Sequence, residues 1–345
     1  MFSSSLLLAI TCLYMGLLFL TALITERRAQ GGNNPSNHPV VYSLSLAVYC
    51  TSWTYYGSVG KAANSGMLFL AIYLGPTLVS IFWWTILRQM VRIKNTYRIT
   101  SIADFISLRY DKSQAVAALA TIIALVGLTP YIALQLKSVV STFGILTQQP
   151  GSEVAVQNDV GILVVALMIL FTVVFGARRI DPTERHQGLV MAVVLESVVK
   201  LVAFLAVGIF VTYYLYDGFG DIIQRFQISP WRKLMITGDG RDSSYLTWAS
   251  YLVLSMSAIM FLPRQFHVAV VENFDERHIP TAMWLFPVYM IAINLFVVPM
   301  AMTGLLSGHP VDKADMFVLL LPMAAGQQWL SLMVFLGGFS VATAM

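Results

Sequence analysis

The 345-residue chain is 57% hydrophobic and only 11% charged, with a net charge of +4 at neutral pH. Soluble domains carry about a quarter charged residues, so this composition excludes a soluble globular protein and fits a chain that crosses a lipid bilayer several times. Cys12 and Cys50 both fall in apolar runs, which argues against a disulfide framework or a zinc cluster. Five scattered histidines and the lack of a basic arm leave no metal site and no nucleic-acid partner to propose.

Leu6 to Ile24 is uncharged and long enough to span a bilayer. Its basic residues, Arg27 and Arg28, follow the apolar run instead of preceding it, so it reads as a retained helix and not as a cleaved signal. Residues 1–25 are therefore a leading transmembrane helix, and 26–39, rich in Gly, Asn and Pro, a polar linker. The next stretch, 40–62, has the length of a span and the wrong chemistry at its centre: Tyr49, Cys50, Thr51, Ser52, Trp53, Thr54, Tyr55, Tyr56 and Gly57 in succession. Hydrocarbon offers no partner for a loose N–H or hydroxyl, so such a segment either lines a protein-walled cavity or packs tightly on neighbouring helices.

A further span is expected from Met67 to about Ile93, kinked near Pro76, followed by the basic run at Arg88, Arg92, Lys94 and Arg98. Thr100 or Ser101 caps a short amphipathic helix with Asp104 in its first turn. Spans follow at 114–146, 160–177, 189–215, 245–262, 282–306 and from Trp329 onward, making nine. The 217–244 connection carries an amphipathic stretch and reads as an extramembrane loop; 307–327 reads as a mixed loop with an apolar patch at Phe317–Met323. If the linker after the first span is cytoplasmic, thirteen Lys and Arg fall on cytoplasmic stretches and six on the opposite side. That asymmetry orients the chain with its amino terminus outside, in an inner (plasma) membrane. The ninth run ends on apolar residues at Met345 with no anchor after it, so the chain is expected to be a fragment, its second half truncated.

No catalytic motif is present: the chain has no Gly-rich phosphate loop and no Ser/His/Asp signature. His186 and His267 read as loop residues. The intramembrane charges are Lys137, Glu196 and Lys200. Glu196 and Lys200 are four apart on one helix and can pair, either for packing or as part of a functional site. Small and hydroxylated residues around 47–52 and 340–343 suit carbonyl and hydroxyl ligation of an ion, and equally suit close helix packing.

The ordered set SLAVYCTSWTYYGSVG, ITSIADFISLRY, TPYIALQLKS, TERHQG and FLGGFSVATAM resembles the sodium:solute symporter family, and within it the symporter-like membrane domain of CbrA-type sensor histidine kinases. The resemblance implies an all-α, LeuT-like fold of inverted five-helix repeats, with 40–216 as the first repeat and 245–345 as an incomplete second. It implies carbonyl ligands for a coupling sodium ion at Ala47 and Cys50, with hydroxyls in the last helix. Here those are Ser340 and Thr343, with Val341 and Ala342 between them, a departure from the paired hydroxyls of sodium-coupled members. It places the coupling carboxylate of the Thr-Asp-x-x-Gln motif on Glu184, and Thr51, Ser52 and Trp53 on the substrate path. The functions implied are transport of a small polar solute, such as an amino acid, or sensory input to a downstream kinase and response regulator in two-component signalling. An inactive truncated transporter is the remaining reading.

Overall fold

The computed structural model describes residues 2–32, 34–147, 187–235 and 244–344, with scattered helical positions between 162 and 173. The described residues are helical with no strand. Most of the expected span at 160–177, and Glu184 and His186, lie outside them. Five described helices are long and apolar enough to cross a membrane, six if the bent pair Tyr245–Phe261 and Pro263–Val271 is one span; Pro39–Tyr49 and Gln328–Thr343 are shorter apolar helices.

The leading helix, Ser4–Gln30, starts where the Ser3 hydroxyl accepts the Leu6 N–H at 3.3 Å and ends at Gly31. Leu7, Thr11, Tyr14, Met15, Leu18, Ala22 and Thr25 are buried at helical spacing. The opposite face is equally apolar, with Leu6, Leu13, Leu17 and Leu20 exposed. A helix apolar all round needs lipid where protein does not cover it. Helix Gln114–Thr147 shows the same character, exposing Leu119, Ile122, Ile123, Leu125 and Val126.

The 40–62 segment is broken. Pro39–Ser45 is α-helical, Leu46–Tyr49 tightens to a 3-10 turn, Cys50 turns extended (φ −79°, ψ 96°), and the chain resumes as a π-turn, Trp53–Gly57, before helix Ser58–Ser65. Its counterpart breaks the same way: Tyr245–Phe261 stops at extended Leu262, and Pro263 opens Pro263–Phe266 at a bend of 49°. Proline at the first helical position lacks only an N–H that would be unpaired anyway.

The single span expected over 67–93 is instead two helices, Leu70–Ser80 and Ile86–Tyr97, joined by turns. The second carries Arg88, Arg92 and Lys94, charges that hydrocarbon does not tolerate. Glu276 receives both guanidinium groups, at 3.1 Å from Arg88 and 2.7 Å from Arg92, and Lys94 donates to the Asn273 carbonyl at 3.1 Å. Pro76 lies inside the first helix, and the carbonyl its missing N–H would have met, that of Ile72, accepts the Tyr49 hydroxyl at 3.3 Å. Pro287 repeats the device: the freed Met283 carbonyl faces the Ser80 hydroxyl at 3.5 Å. Ser101 caps Ile102–Leu108 through the Asp104 N–H, and Asp104 reaches back to the Thr100 N–H.

The apolar patch in 307–327 is not a loop. It forms helix Phe317–Ala324, with Phe317, Val318 and Leu319 fully buried. Six apolar residues in seven cannot stay in water when an adjoining core can take them. The final helix, Gln328–Thr343, packs against Gln187–Tyr213, and this pair lies beside the broken 39–65 segment.

Candidate functional site

The site grows from the break at Cys50. Interrupting a helix leaves carbonyls and N–H groups without intrahelical partners, and side chains from two other helices meet them. Lys200 of helix Gln187–Tyr213 is fully buried, and its Nζ donates to the Ala47 carbonyl at 2.7 Å and the Cys50 carbonyl at 2.9 Å. Gln135 of helix Gln114–Thr147 accepts the Ser52 N–H through Oε1 at 2.7 Å. The Thr51 and Tyr131 hydroxyls lie 2.8 Å apart.

The final helix closes the other side. The Thr343 hydroxyl donates to Glu196 Oε1 at 2.5 Å and lies 3.0 Å from the Phe339 carbonyl. The Ser340 hydroxyl donates to the Leu336 carbonyl at 2.7 Å and meets the Tyr14 hydroxyl at 2.6 Å. Glu196 and Lys200 share a helix face, as their spacing requires, yet each turns to another partner: Glu196 to Thr343, Lys200 to the broken helix. Buried charges persist only where hydrogen bonds replace water, and a lone partner one turn away satisfies neither group fully.

Ala47, Cys50, Ser340 and Thr343 therefore converge on one region with Glu196 and Lys200, whereas Lys137 is exposed and stands apart. Three contributors carry no site role in the sequence reading, although Tyr131 and Gln135 fall inside the TPYIALQLKS motif. Gln135 and Tyr131 hold the break, and Tyr14 reaches Ser340 of the final helix from the leading helix. A lone glutamine in an apolar span, inside that motif, is the signal that points to Gln135.

Two cavities meet this centre. A cavity of about 940 Å³ is lined by Tyr49, Thr51, Trp53 and Tyr131 and extends past Ile106 to Val116. A smaller, more polar one of about 430 Å³ is lined by Ser52, Trp53, Lys61, Asn64, Ser138 and Asp315. Trp53 borders both. Along helix Gln114–Thr147 the larger cavity takes positions from Val116 to Tyr131 and the smaller one Leu134 and Ser138, so they approach from opposite ends of that helix.

Paired broken helices, a buried polar centre between them and lipid-type surfaces outside define an integral membrane protein with a LeuT-like, inverted-repeat transporter fold. No family model matches the chain. It is 21% identical over 297 residues to an uncharacterized symporter, YhjB, of Bacillus subtilis (strain 168), a match that covers 84% of this chain and 56% of that protein. The chain thus spans little more than half the length of this curated relative. The solved structure of a Na+-coupled sialic acid symporter, in a substrate-bound outward-open state, superposes with a TM-score of 0.65 at 11% identity, covering 98% of this chain and 70% of that one.

Proposed function

We propose that this chain is the membrane domain of a symporter-like transporter that moves a small polar solute by alternating access. The observation that carries this reading is the position of Trp53, which borders two cavities reaching the helix break from opposite ends. Thr51, Ser52 and Trp53 are the solute contacts in this reading, where backbone at the break and the aromatic ring meet the ligand together. Opening one cavity while closing the other needs only that the solute bind the two conformations differently. We assign 40–216 and 245–345 to the two repeats and the amino terminus to the outside of the inner membrane. Glu184, the expected coupling residue, falls outside the described residues.

A second reading, sensory input to a histidine kinase, rests on the wording of motifs such as YCTSWTYYGSVG and GGFSVATAM. It uses the same two conformations and replaces flux with a bias on a downstream kinase and response regulator.

The test is cysteine accessibility in membrane vesicles of known orientation. A membrane-impermeant maleimide should label Asn64→Cys from the outer face and Ala120→Cys from the inner face. An amino-acid panel should change the labelling of the two positions in opposite directions. Labelling of both from one face, or parallel changes at both, would remove the alternating-access reading.

A further inference from the structure

The carbonyls that a LeuT-like fold offers to a coupling sodium ion are engaged here by the protein itself. The Ala47 and Cys50 carbonyls both accept from Lys200 Nζ, at 2.7 and 2.9 Å. The Ser340 and Thr343 hydroxyls donate to the Leu336 carbonyl and to Glu196, which by itself leaves their oxygen lone pairs available. Val341 and Ala342 between them offer no side-chain oxygen. Sodium requires several hard oxygens facing one point. The point that Ala47 and Cys50 face is filled by a nitrogen carrying protons, which repels a cation and coordinates none.

Lys200 is fully buried, and its aliphatic stem fills the space between the break and helix Gln187–Tyr213. Around it stand the Cys50 thiol, the Glu196 carboxylate and the Arg264 guanidinium, and the Tyr289 hydroxyl donates to the Ser197 carbonyl nearby at 2.8 Å. Lys200 and Arg264 both lie near enough to Glu196 to act on it electrostatically, so a further cation would add like charge to a region that water does not screen.

We propose that Lys200 is a built-in cation: its ammonium takes the place of a coupling sodium ion at the break after Cys50, so that solute binding at this centre is independent of sodium. The ammonium does for the broken helix what an ion would do, tying the Ala47 and Cys50 carbonyls to helix Gln187–Tyr213. It differs in being covalently held, so it cannot leave with the solute. The residues do not fit sodium while Lys200 is present, and shortening Lys200 would open the position to it. This inference rests on the symporter reading for its place in the fold, and its test needs neither solute nor flux.

Purified protein in detergent is heated in sodium chloride and in choline chloride of equal ionic strength. The native chain should melt at the same temperature in both. Lys200→Ala should melt lower in choline and regain about 2–4 °C in saturable fashion with sodium, by mass action on a newly opened site. Lys200→Arg keeps a cation in place and should show no sodium response. A sodium-specific stabilisation of the native chain that Thr343→Ala abolishes would overturn the proposal, and this arm stands even if Lys200→Ala fails to fold. A folded Lys200→Ala protein that ignores sodium would overturn it too. Failure of the transport reading would show only in the vesicle-labelling experiment, which this measurement does not touch.

Discussion

The Tyr14 hydroxyl lies 2.6 Å from the Ser340 hydroxyl, joining the leading helix to the last across 326 residues of chain. The Tyr14 ring also meets Phe339 edge-on at 6.2 Å. The same leading helix comes close enough to Gly188 that a Cβ there would sit 2.7 Å from the Ala22 carbonyl. The leading helix is thus packed into the candidate site's wall and is not a detachable anchor.

Tyr14→Phe removes the hydroxyl and keeps the ring. Ser340 retains its bond to the Leu336 carbonyl, so the loss should be about 0.5–1.5 kcal/mol, the net worth of one hydrogen bond. Tyr14→Ala also removes the ring and should cost about 3–5 kcal/mol, as for a deleted buried aromatic. Thermal unfolding of the two variants separates the contributions; a Tyr14→Phe protein as stable as the native one would mean that the hydroxyl contact does not form.

Much of this architecture is legible in the sequence because apolar runs and their interruptions are local signals. Hydroxyls at membrane depth mark 49–57 as unusual without fixing where the helix breaks, and the cap at Ser101 follows from the Asp three residues on. The convergence of Glu196 and Lys200 on other partners is not legible, because helical spacing says only that two side chains can meet. What draws Lys200 away is a pair of carbonyls 150 residues earlier, freed by a break whose exact direction no pattern fixes. The split of 67–93 into two helices is not legible for a similar reason: Arg88 and Arg92 read as the end of a span, and the residue that collects both, Glu276, is distant in sequence.

Gly75 allows helix Leu70–Ser80 to touch helix Tyr245–Phe261. A Cβ at Gly75 would sit 2.0 Å from the Ser255 hydroxyl and 2.8 Å from both the Leu252 carbonyl and the Met256 nitrogen. The hydroxyl could rotate away, but the backbone atoms can be relieved only by separating the helices, and the Ser255 bond to the Ala71 carbonyl at 3.2 Å would go with them. Gly75→Ala should destabilise by about 1–3 kcal/mol, the usual range for overpacking. Gly127→Ala, with nothing within 4 Å, should be neutral or slightly stabilising by helix propensity. Similar melting temperatures for the two variants would refute the close approach.

Trp53 separates the two cavities and lies 6.2 Å from the Tyr73 ring. Trp53→Ala should therefore join the cavities instead of merely enlarging one. If the proposed transport function holds, the variant in liposomes should pass small amino acids down their gradient without the counterflow exchange expected of the native protein. Retained exchange at the native rate would place the barrier elsewhere.

Gln135 is buried to 1% exposure and turns Oε1 to the Ser52 N–H at 2.7 Å. Breaking the helix at Cys50 exposes that N–H, and in hydrocarbon an unpaired N–H has no water to fall back on. Gln135→Leu keeps the volume and removes the acceptor, so it should cost about 1–3 kcal/mol, the desolvation of one orphaned donor. Gln135→Glu supplies a carboxylate oxygen at the same reach and should recover most of that loss. Hydrogen exchange at Ser52 gives the decisive readout: fast in Gln135→Leu, slow in the native chain and in Gln135→Glu. If Gln135→Leu melts like the native protein and exchange at Ser52 stays slow, the break is held by Lys200 on the carbonyl side alone, and Gln135 is only filling space.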